Sequence, residues 1–362
     1  MVSDRSRRIT LNYDIPEVYQ IELETNASGR IKTASVISQF AYREIGHLVK
    51  ERYSNPNDAL YVVERICGIC SHSHTLAFCC AVEKALGTEV PPRAAYIRSI
   101  VAELERLQSH LLNLVETATQ LRENLLEKEL WSVRQAVTSW LLTVTANRIH
   151  YGVNCIGGVT RDLKEGDRRI LQRELPNLMS LISDIERGFK DVSQPRLQNL
   201  GVWTPPLQGE YGTGPNQRAY GWSHDIRIDM PYAAYAQVKF DPPIGEKGDA
   251  WSRVLIRLRE LEVSCYLLRD LLHHLPRGEL TVGELPSLVD AAEATVSVEA
   301  PRGENRYILK LSADGTVADL EIHVPTRNSV RGLEKALQGN DVDDTKLVVS
   351  SFDLCMSCYD GP

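Results

Sequence analysis

The sequence predicts a mainly helical α+β fold: a central helical bundle, β elements at the N-terminus, and a C-terminal β-hairpin that folds back to the core. Three observations carry that reading. Apolar residues recur at three- and four-residue steps through a long middle stretch, the spacing of packed helices. Apolar and polar residues alternate near both ends, as half-buried strands require. A Cys-x-x-Cys pair stands towards each end, which points to one site fixed from both sides of a large core. The reading is one domain over 1–362, with a β part over about 1–40, a helical core over about 41–290, and a C-terminal β part with the second cysteine pair over about 291–362.

Taken in order, TLNYDIPEVYQIELETNASGRIKTASV alternates around an Asn26–Gly29 turn signal and predicts an antiparallel hairpin. From Ser38 to Tyr53 the spacing becomes helical, and the Asn/Pro/Asp-rich segment from Ser54 to Asp58 breaks it. Cys67 and Cys70 stand at the entry of the next helix, where Leu76, Cys79, Cys80, Glu83 and Leu86 keep helical spacing and Gly87 is a natural C-cap. Thiolates suit such an entry, because unpaired N–H groups and the helix dipole stabilise negative charge. After Pro91 and Pro92, an apolar stripe runs from Ile97 through Leu104, Leu107 and Leu111 to Val115. On that helix Glu103, Glu105, Arg106 and His110 form a charged stripe, open between a solvated face with i,i+4 pairs and a proton route or subunit contact. Helical patterns follow over about 123–151, 167–191 and 250–275. Between them, 198–248 is rich in Gly, Pro, Tyr and Trp and reads as a functional loop or partner-facing surface. Alternation returns over 293–324, with a hairpin turn at Ser312–Gly315.

Charge and composition exclude several classes. The net charge is −7 and both signs are mixed along the chain, so no basic face for nucleic acid exists. No apolar window is long enough to span a bilayer, and the start lacks the apolar core of a secretory signal. The expectation is a cytoplasmic protein that reaches the cytoplasmic membrane only through partner subunits. In a reducing compartment eight cysteines do not read as a disulfide framework. Four thiolates from two Cys-x-x-Cys elements can instead hold a soft or borderline metal. Structural zinc and a catalytic metal both meet that description. Zinc modules, however, place their pairs inside small domains without a core, so the layout here favours a catalytic metal. Cys79, Cys80, Cys155 and Cys265 fall on apolar helical faces and read as small buried hydrophobes.

The flanking residues sharpen this. Glu64-Arg65-Ile66-Cys67-Gly68-Ile69-Cys70, followed by Ser71-His72-Ser73-His74, resembles the first metal-binding signature of nickel–iron hydrogenase large subunits. Phe352-Asp353-Leu354-Cys355-Met356-Ser357-Cys358 resembles the second, with Leu354 where proline is usual. Glu299-Ala300-Pro301-Arg302-Gly303 and Val324-Pro325-Thr326 resemble two further family segments. Glu103 to Leu111 and Gly157 to Asp162 look like the energy-converting, membrane-bound group related to the quinone-site subunit of respiratory complex I.

The resemblance implies a nickel–iron centre whose iron carries cyanide and carbon monoxide. Cys67 and Cys355 would be terminal nickel ligands, while Cys70 and Cys358 would bridge the metals. Arg302 would lie over the site and donate to one cyanide, and Thr326 to the other. His74 would bond near a bridging sulfur, Asp353 would pair with Arg302 or nearby backbone, and the Cys355 thiolate would accept the proton when hydrogen is split. His72 lacks a match and reads as a polar neighbour. The family's N-terminal Arg-Gly-x-Glu appears here as Arg43-Glu44-Ile45-Gly46, which makes Glu44 the candidate proton carrier. Magnesium is a further cofactor the resemblance allows, although Tyr359-Asp360-Gly361-Pro362 lacks the usual C-terminal ligand. The implied reaction is reversible interconversion of hydrogen with protons and electrons, run towards hydrogen evolution from reduced ferredoxin. An iron–sulfur small subunit would deliver the electrons, because this chain has no further cysteines in cluster spacing. Membrane subunits would translocate ions. Two alternatives stay open: a complex I-like or sulfur-reducing relative without hydrogenase activity, and a non-catalytic subunit with structural zinc.

Overall fold

A computed structural model describes residues 7–13, 19–37, 43–203 and 213–359. Three antiparallel strands open the chain in spatial order: β1 (Arg7–Tyr13), β2 (Tyr19–Thr25) and β3 (Ile31–Ile37). The expected hairpin is β2–β3. Its turn is built by Asn26, whose side-chain oxygen accepts the backbone N–H groups of Ser28 (3.1 Å) and Arg30 (2.9 Å), with Gly29 supplying a φ of 82°. Ile21, Leu23 and Ile31 point into the core, which pins the register, since a one-residue slip would expose them all.

The helical pattern expected from Ser38 is seen from Ile45; residues 38–42 lie outside the described residues. Helices α1 (Ile45–Arg52), α2 (Pro56–Glu64) and α3 (Ser71–Leu86) follow. The Asn/Pro/Asp segment is a helix start as well as a break. Asn55 accepts from the N–H of Asn57, and Pro56 occupies the first turn, where its missing donor costs nothing. Gly87 ends α3 in the left-handed conformation, as its spacing predicted.

Helix α4 (Pro92–Leu121) is the axis of the molecule, and α5 (Asn124–Thr145) packs along it. A small hairpin of β4 (Asn154–Cys155) and β5 (Gly158–Val159) leads to α6 (Glu165–Val192) and the short α7 (Gln194–Leu197). Two more short helices, α8 (Gly214–Arg218) and α9 (Ile226–Asp229), precede α10 (Ala250–His274). The C-terminal sheet holds β6 (Ala292–Ala300), β7 (Gly303–Leu311) and β8 (Val317–His323) in antiparallel order, with the expected turn at Ser312–Gly315 between β7 and β8. Then come α11 (Pro325–Leu337) and α12 (Thr345–Phe352), which the apolar spacing did not single out.

Two apolar clusters result. One joins α4, α5, α6 and α10 with the N-terminal sheet. The other lies between α1–α3 and the C-terminal sheet, and it contains all four cysteines of the two pairs. The charged stripe of α4 is not a solvated face. Glu103, Glu105, Arg106 and His110 are fully buried, because α3, α5, α10 and α12 surround the helix and each charge meets a partner there. No helix among the described residues is long and apolar enough to cross a membrane.

Candidate metal centre

The first cysteine pair sits in the turn between α2 and α3, and the second follows α12. Cys70 stands at the N-cap position of α3 with no capping bond from its side chain, and the backbone N–H of Ile69 donates to Cys67 Sγ at 3.2 Å. Asp353 ends α12 in the left-handed conformation (φ 54°), which turns the chain inward, and Cys358 N–H closes a tight turn on Cys355 O at 3.1 Å. The two turns meet. Cys67 and Cys355 sulfurs are 3.4 Å apart, Cys70 and Cys358 3.2 Å, and Cys355 and Cys358 3.0 Å. All four lie within 4.8 Å of one another and are buried.

Such a set cannot bear four negative charges unaided. Donation from Cys355, Cys358 and Cys70 holds the Cys67 thiol well down against burial, while Cys355 and Cys358 are pushed well up. A metal bound here would replace those protons, and soft thiolates suit nickel, iron or zinc. One zinc ion at ~2.3 Å from four sulfurs sets them roughly 3.8 Å apart. All three close pairs here are tighter than that, so a lone tetrahedral ion would have to spread them.

Arg302 closes the site from the β6–β7 turn. Its Nε donates to Asp353 O (2.9 Å), Nη2 to Asp353 Oδ1 (2.7 Å) and Nη1 to Ser109 Oγ (3.1 Å). Burial works against its charge, but Asp353 and the cysteine sulfurs outweigh that, so it stays cationic. Gly303 and Gly214 permit the neighbouring backbone to approach: a Cβ on either would collide with the other segment. Residues 213–219 are therefore buried against the site, which fits the functional-loop alternative for this part of the stretch and not the partner-facing one. Residues 204–212 of that stretch lie outside the described residues.

Three supporting groups escaped the sequence reading. Arg257 of α10 donates to Ser351 O (2.9 Å) and Phe352 O (3.2 Å) and lies 3.6 Å from Asp353 Oδ2. Asn216 donates to Phe352 O at 2.9 Å. Arg43 reaches both cysteine turns at once, donating to Ile66 O (2.7 Å) and Ser357 O (2.6 Å). The signal for Arg257 was available: Arg253 and Arg257 stand four residues apart, on one face of the helix, among Val254, Leu255, Ile256 and Leu258.

The remaining candidates divide. His74 Nε2 lies 3.4 Å from Cys358 Sγ, and its Nδ1 lies 2.7 Å from the Tyr307 hydroxyl. Thr326 Oγ1 accepts the backbone N–H of Cys355 at 3.1 Å, which leaves its own proton to donate. Glu44 is exposed at the start of α1, with a φ of 50° that favours glycine. At the other interchanged position, a Cβ on Gly46 would strike the carbonyl oxygen of Leu320 in β8. Gly46→Glu, which would restore the family order at that position, should therefore destabilise the chain by about 1–3 kcal/mol or more through overpacking. Thermal unfolding checks this, and an unchanged midpoint would mean that β8 yields freely.

The helix-entry argument for the thiolates needs correcting. Glu105 of α4 takes the first-turn N–H groups of α3, from His72 (2.7 Å) and Ser73 (3.1 Å), together with the Ser73 hydroxyl and His150 Nε2 (2.8 Å). A carboxylate, not a thiolate, occupies the helix N-terminus. Burial pulls the Glu105 carboxyl up, but His150 and its other donors hold it below its usual range. His72, between Arg98 O and Asn154, is no casual polar neighbour: burial pushes it down to about 4. An unfolded chain protonates this histidine below about pH 6.5. Its contribution is thus fully present above that pH and is lost as the pH falls towards 4, amounting to roughly 3 kcal/mol. Denaturant unfolding of the metal-free chain across that window should show the decline, and His72→Asn should flatten it.

Both ends of one helical core thus close a buried thiolate centre under an arginine–aspartate pair. Residues 43–116 match the family described as nickel-dependent hydrogenase, and residues 129–289 match the respiratory-chain NADH dehydrogenase 49 Kd subunit. The carbon monoxide-induced hydrogenase of Rhodospirillum rubrum is 31% identical over 95% of this chain and 94% of its own. The membrane-bound hydrogenase subunit alpha of Pyrococcus furiosus is 35% identical over 83% of this chain and 75% of its own. A chain in the structure of the membrane-bound sulfane sulfur reductase, an archaeal respiratory membrane complex, superposes with a TM-score of 0.92 at 25% identity, covering 100% of both chains. The chain belongs to the nickel–iron hydrogenase large-subunit family, in the membrane-bound, energy-converting branch homologous with the 49 kDa subunit of complex I.

Proposed function

We propose that this chain is the catalytic subunit of a hydrogenase that interconverts hydrogen with protons and electrons. The observation that carries it is the convergence of Cys67, Cys70, Cys355 and Cys358 within 4.8 Å, buried beneath Arg302. Cys67, Cys70, Cys355 and Cys358 would together hold the nickel–iron centre. Once bound, the metal pair supplies polarisation of hydrogen and a path for electrons. Arg302, locked by Asp353 and Ser109, presents a fixed positive charge where water is excluded and need not reorganise during turnover. Thr326 holds the Cys355 backbone through its hydroxyl oxygen, and its hydroxyl proton would donate to the centre. Cys355 Sγ takes the proton, and His74 fixes the Cys358 sulfur. Glu44, at the surface beside the Arg43 clamp, would pass protons outward. Magnesium has no comparable donor set among the described residues.

Electrons would arrive through an iron–sulfur small subunit with ferredoxin as donor, and membrane partners would couple turnover to ion translocation. That the relatives are named as membrane-bound hydrogenase or reductase supports a place in a membrane complex at the cytoplasmic face. Infrared spectroscopy with metal analysis on the natively purified complex tests the reading. Cyanide and carbon monoxide bands with equal nickel and iron support it, while zinc without such bands overturns it. A second reading, reduction of sulfane sulfur at the same cysteines, is favoured by the structural match to the sulfur reductase. Dimethyl trisulfide reduction by a complex that neither evolves nor oxidises hydrogen would establish the second over the first.

A further inference from the structure

Behind the Arg302 turn lies a buried ionic network that binding four cysteines to metal does not require. One guanidinium, Arg218, faces three carboxylates: Glu260 (2.5 Å), Glu299 (3.0 Å) and Asp225 (3.5 Å), all buried. The three differ in what else they have. Glu260 also takes His110 Nε2 at 2.8 Å. Asp225 takes Arg227 through Nε (2.9 Å) and Nη2 (2.7 Å). Among the described residues, the Glu299 side chain has only the backbone N–H of Ile226, at 3.2 Å. A second cation, Arg106, lies nearby but donates to Glu103, Ala300 O and Glu299 O, the last two at the end of β6, which leads into the Arg302 turn.

Every element packed around Glu299 can be inventoried. From α4 come Arg106 and Glu103; from α8, Arg218; from α9, Asp225 and Arg227; from α10, Glu260. Tyr232 accepts the Glu299 backbone N–H at 3.0 Å. On β7, Glu304 is engaged by Ser297, and Lys84 of α3 reaches Thr295 O farther along β6. Arg257 and Arg302 serve Asp353. Among the described residues, three buried guanidinium groups, Arg106, Arg218 and Arg227, thus face four buried carboxylates, Glu103, Asp225, Glu260 and Glu299, and only Arg218 bonds the Glu299 side chain. Two carboxylates on one guanidinium nitrogen, out of water, do not both ionise cheaply.

We propose that Asp225 and Glu299, joined through Arg218, hold one proton between them, carried by Glu299, and that Glu299, three residues before Arg302, stores it for the catalytic centre. Burial and the Asp225 charge push the Glu299 carboxyl up, whereas Arg227 and Arg218 hold Asp225 down against its burial. The network also has an outlet. Arg227 and Tyr235, the latter bonded to Glu103 at 2.5 Å, line an open cavity of about 530 Å³ with Lys239, Phe240 and Asp241. Discharge converts the Glu299 acid to its carboxylate, paired with Arg218, and releases one proton; recharging through the cavity reverses it. The use of that proton rests on the hydrogen chemistry proposed above, but its presence does not.

The test is infrared difference spectroscopy of the purified complex at neutral pH, with ¹³C-glutamate labelling to mark glutamate carbonyls. Expected is a protonated-glutamate band that disappears in Glu299→Gln. It should also disappear in Asp225→Asn, because removal of the like charge lets Glu299 ionise. Absence of the band in the native protein, or its persistence in either variant, overturns the pair. Should Glu299→Gln fail to fold, the native and Asp225→Asn spectra still decide. Storage for catalysis predicts a shifted pH profile of hydrogen turnover in Glu299→Gln with metal content unchanged; an unshifted profile overturns that use. Failure of the hydrogenase reading would show separately, as missing cyanide and carbon monoxide bands in the native protein.

Discussion

Replacement of Cys358 by serine should abolish metal retention and hydrogen turnover while leaving the helical fold intact. Cys358 Sγ lies against two other cysteine sulfurs and His74 Nε2, so it sits at the middle of the cluster. Serine offers a harder, shorter donor that is protonated at neutral pH, and a soft metal pair loses its shared ligand. Much of the fold should survive, because two apolar clusters surround the site and the change removes no buried charge. Metal analysis and far-ultraviolet circular dichroism of the variant check both halves. Full metal occupancy would remove Cys358 from the ligand set. Loss of fold along with metal would instead favour a structural ion, since structural sites contribute folding energy outright.

The second large effect concerns Arg302. Arg302→Lys should keep the metals and lower turnover by about a hundred- to a thousandfold, the size seen when one preorganised donor is removed from a water-free site. Arginine here makes three directed bonds, two to Asp353 and one to Ser109, and its planar fork fixes where the charge lies. Lysine keeps the charge as a mobile point on a flexible stem. Hydrogen uptake with an artificial acceptor, read beside metal content and the cyanide bands, separates an electrostatic role from a ligand role. Wild-type turnover would take Arg302 out of the mechanism. Arg302→Ala should go further and cost on the order of 3–5 kcal/mol of stability, because Asp353 would keep only the distant Arg257.

Much of this protein was legible because its signals are local. Periodicity marked α4, α6 and α10, since an amphipathic helix writes its buried face at a fixed spacing. The Asn26–Gly29 and Ser312–Gly315 turns were readable from side chains and glycines that make turns without help. The two cysteine motifs, with Arg302 and Asp353, could be named before any geometry, because residue type and order carry the chemistry.

What stayed hidden was pairing across the chain. Glu105 capping α3, Arg43 joining the two cysteine turns, and Asn216 and Arg257 holding the Asp353 bend all link residues far apart in sequence. No local pattern distinguishes a buried charge from a solvated one. A glutamate on α4 looks the same whether water or an arginine faces it, and only enclosure by neighbouring helices decides. The sequence by itself determined the fold class, the four thiolates and the family, because helix spacing and short motifs are properties of adjacent residues. Only the tertiary structure decided which charges are buried, who neutralises them, and that Glu44 lies at the surface, because desolvation and pairing depend on what the rest of the chain brings within a few ångströms.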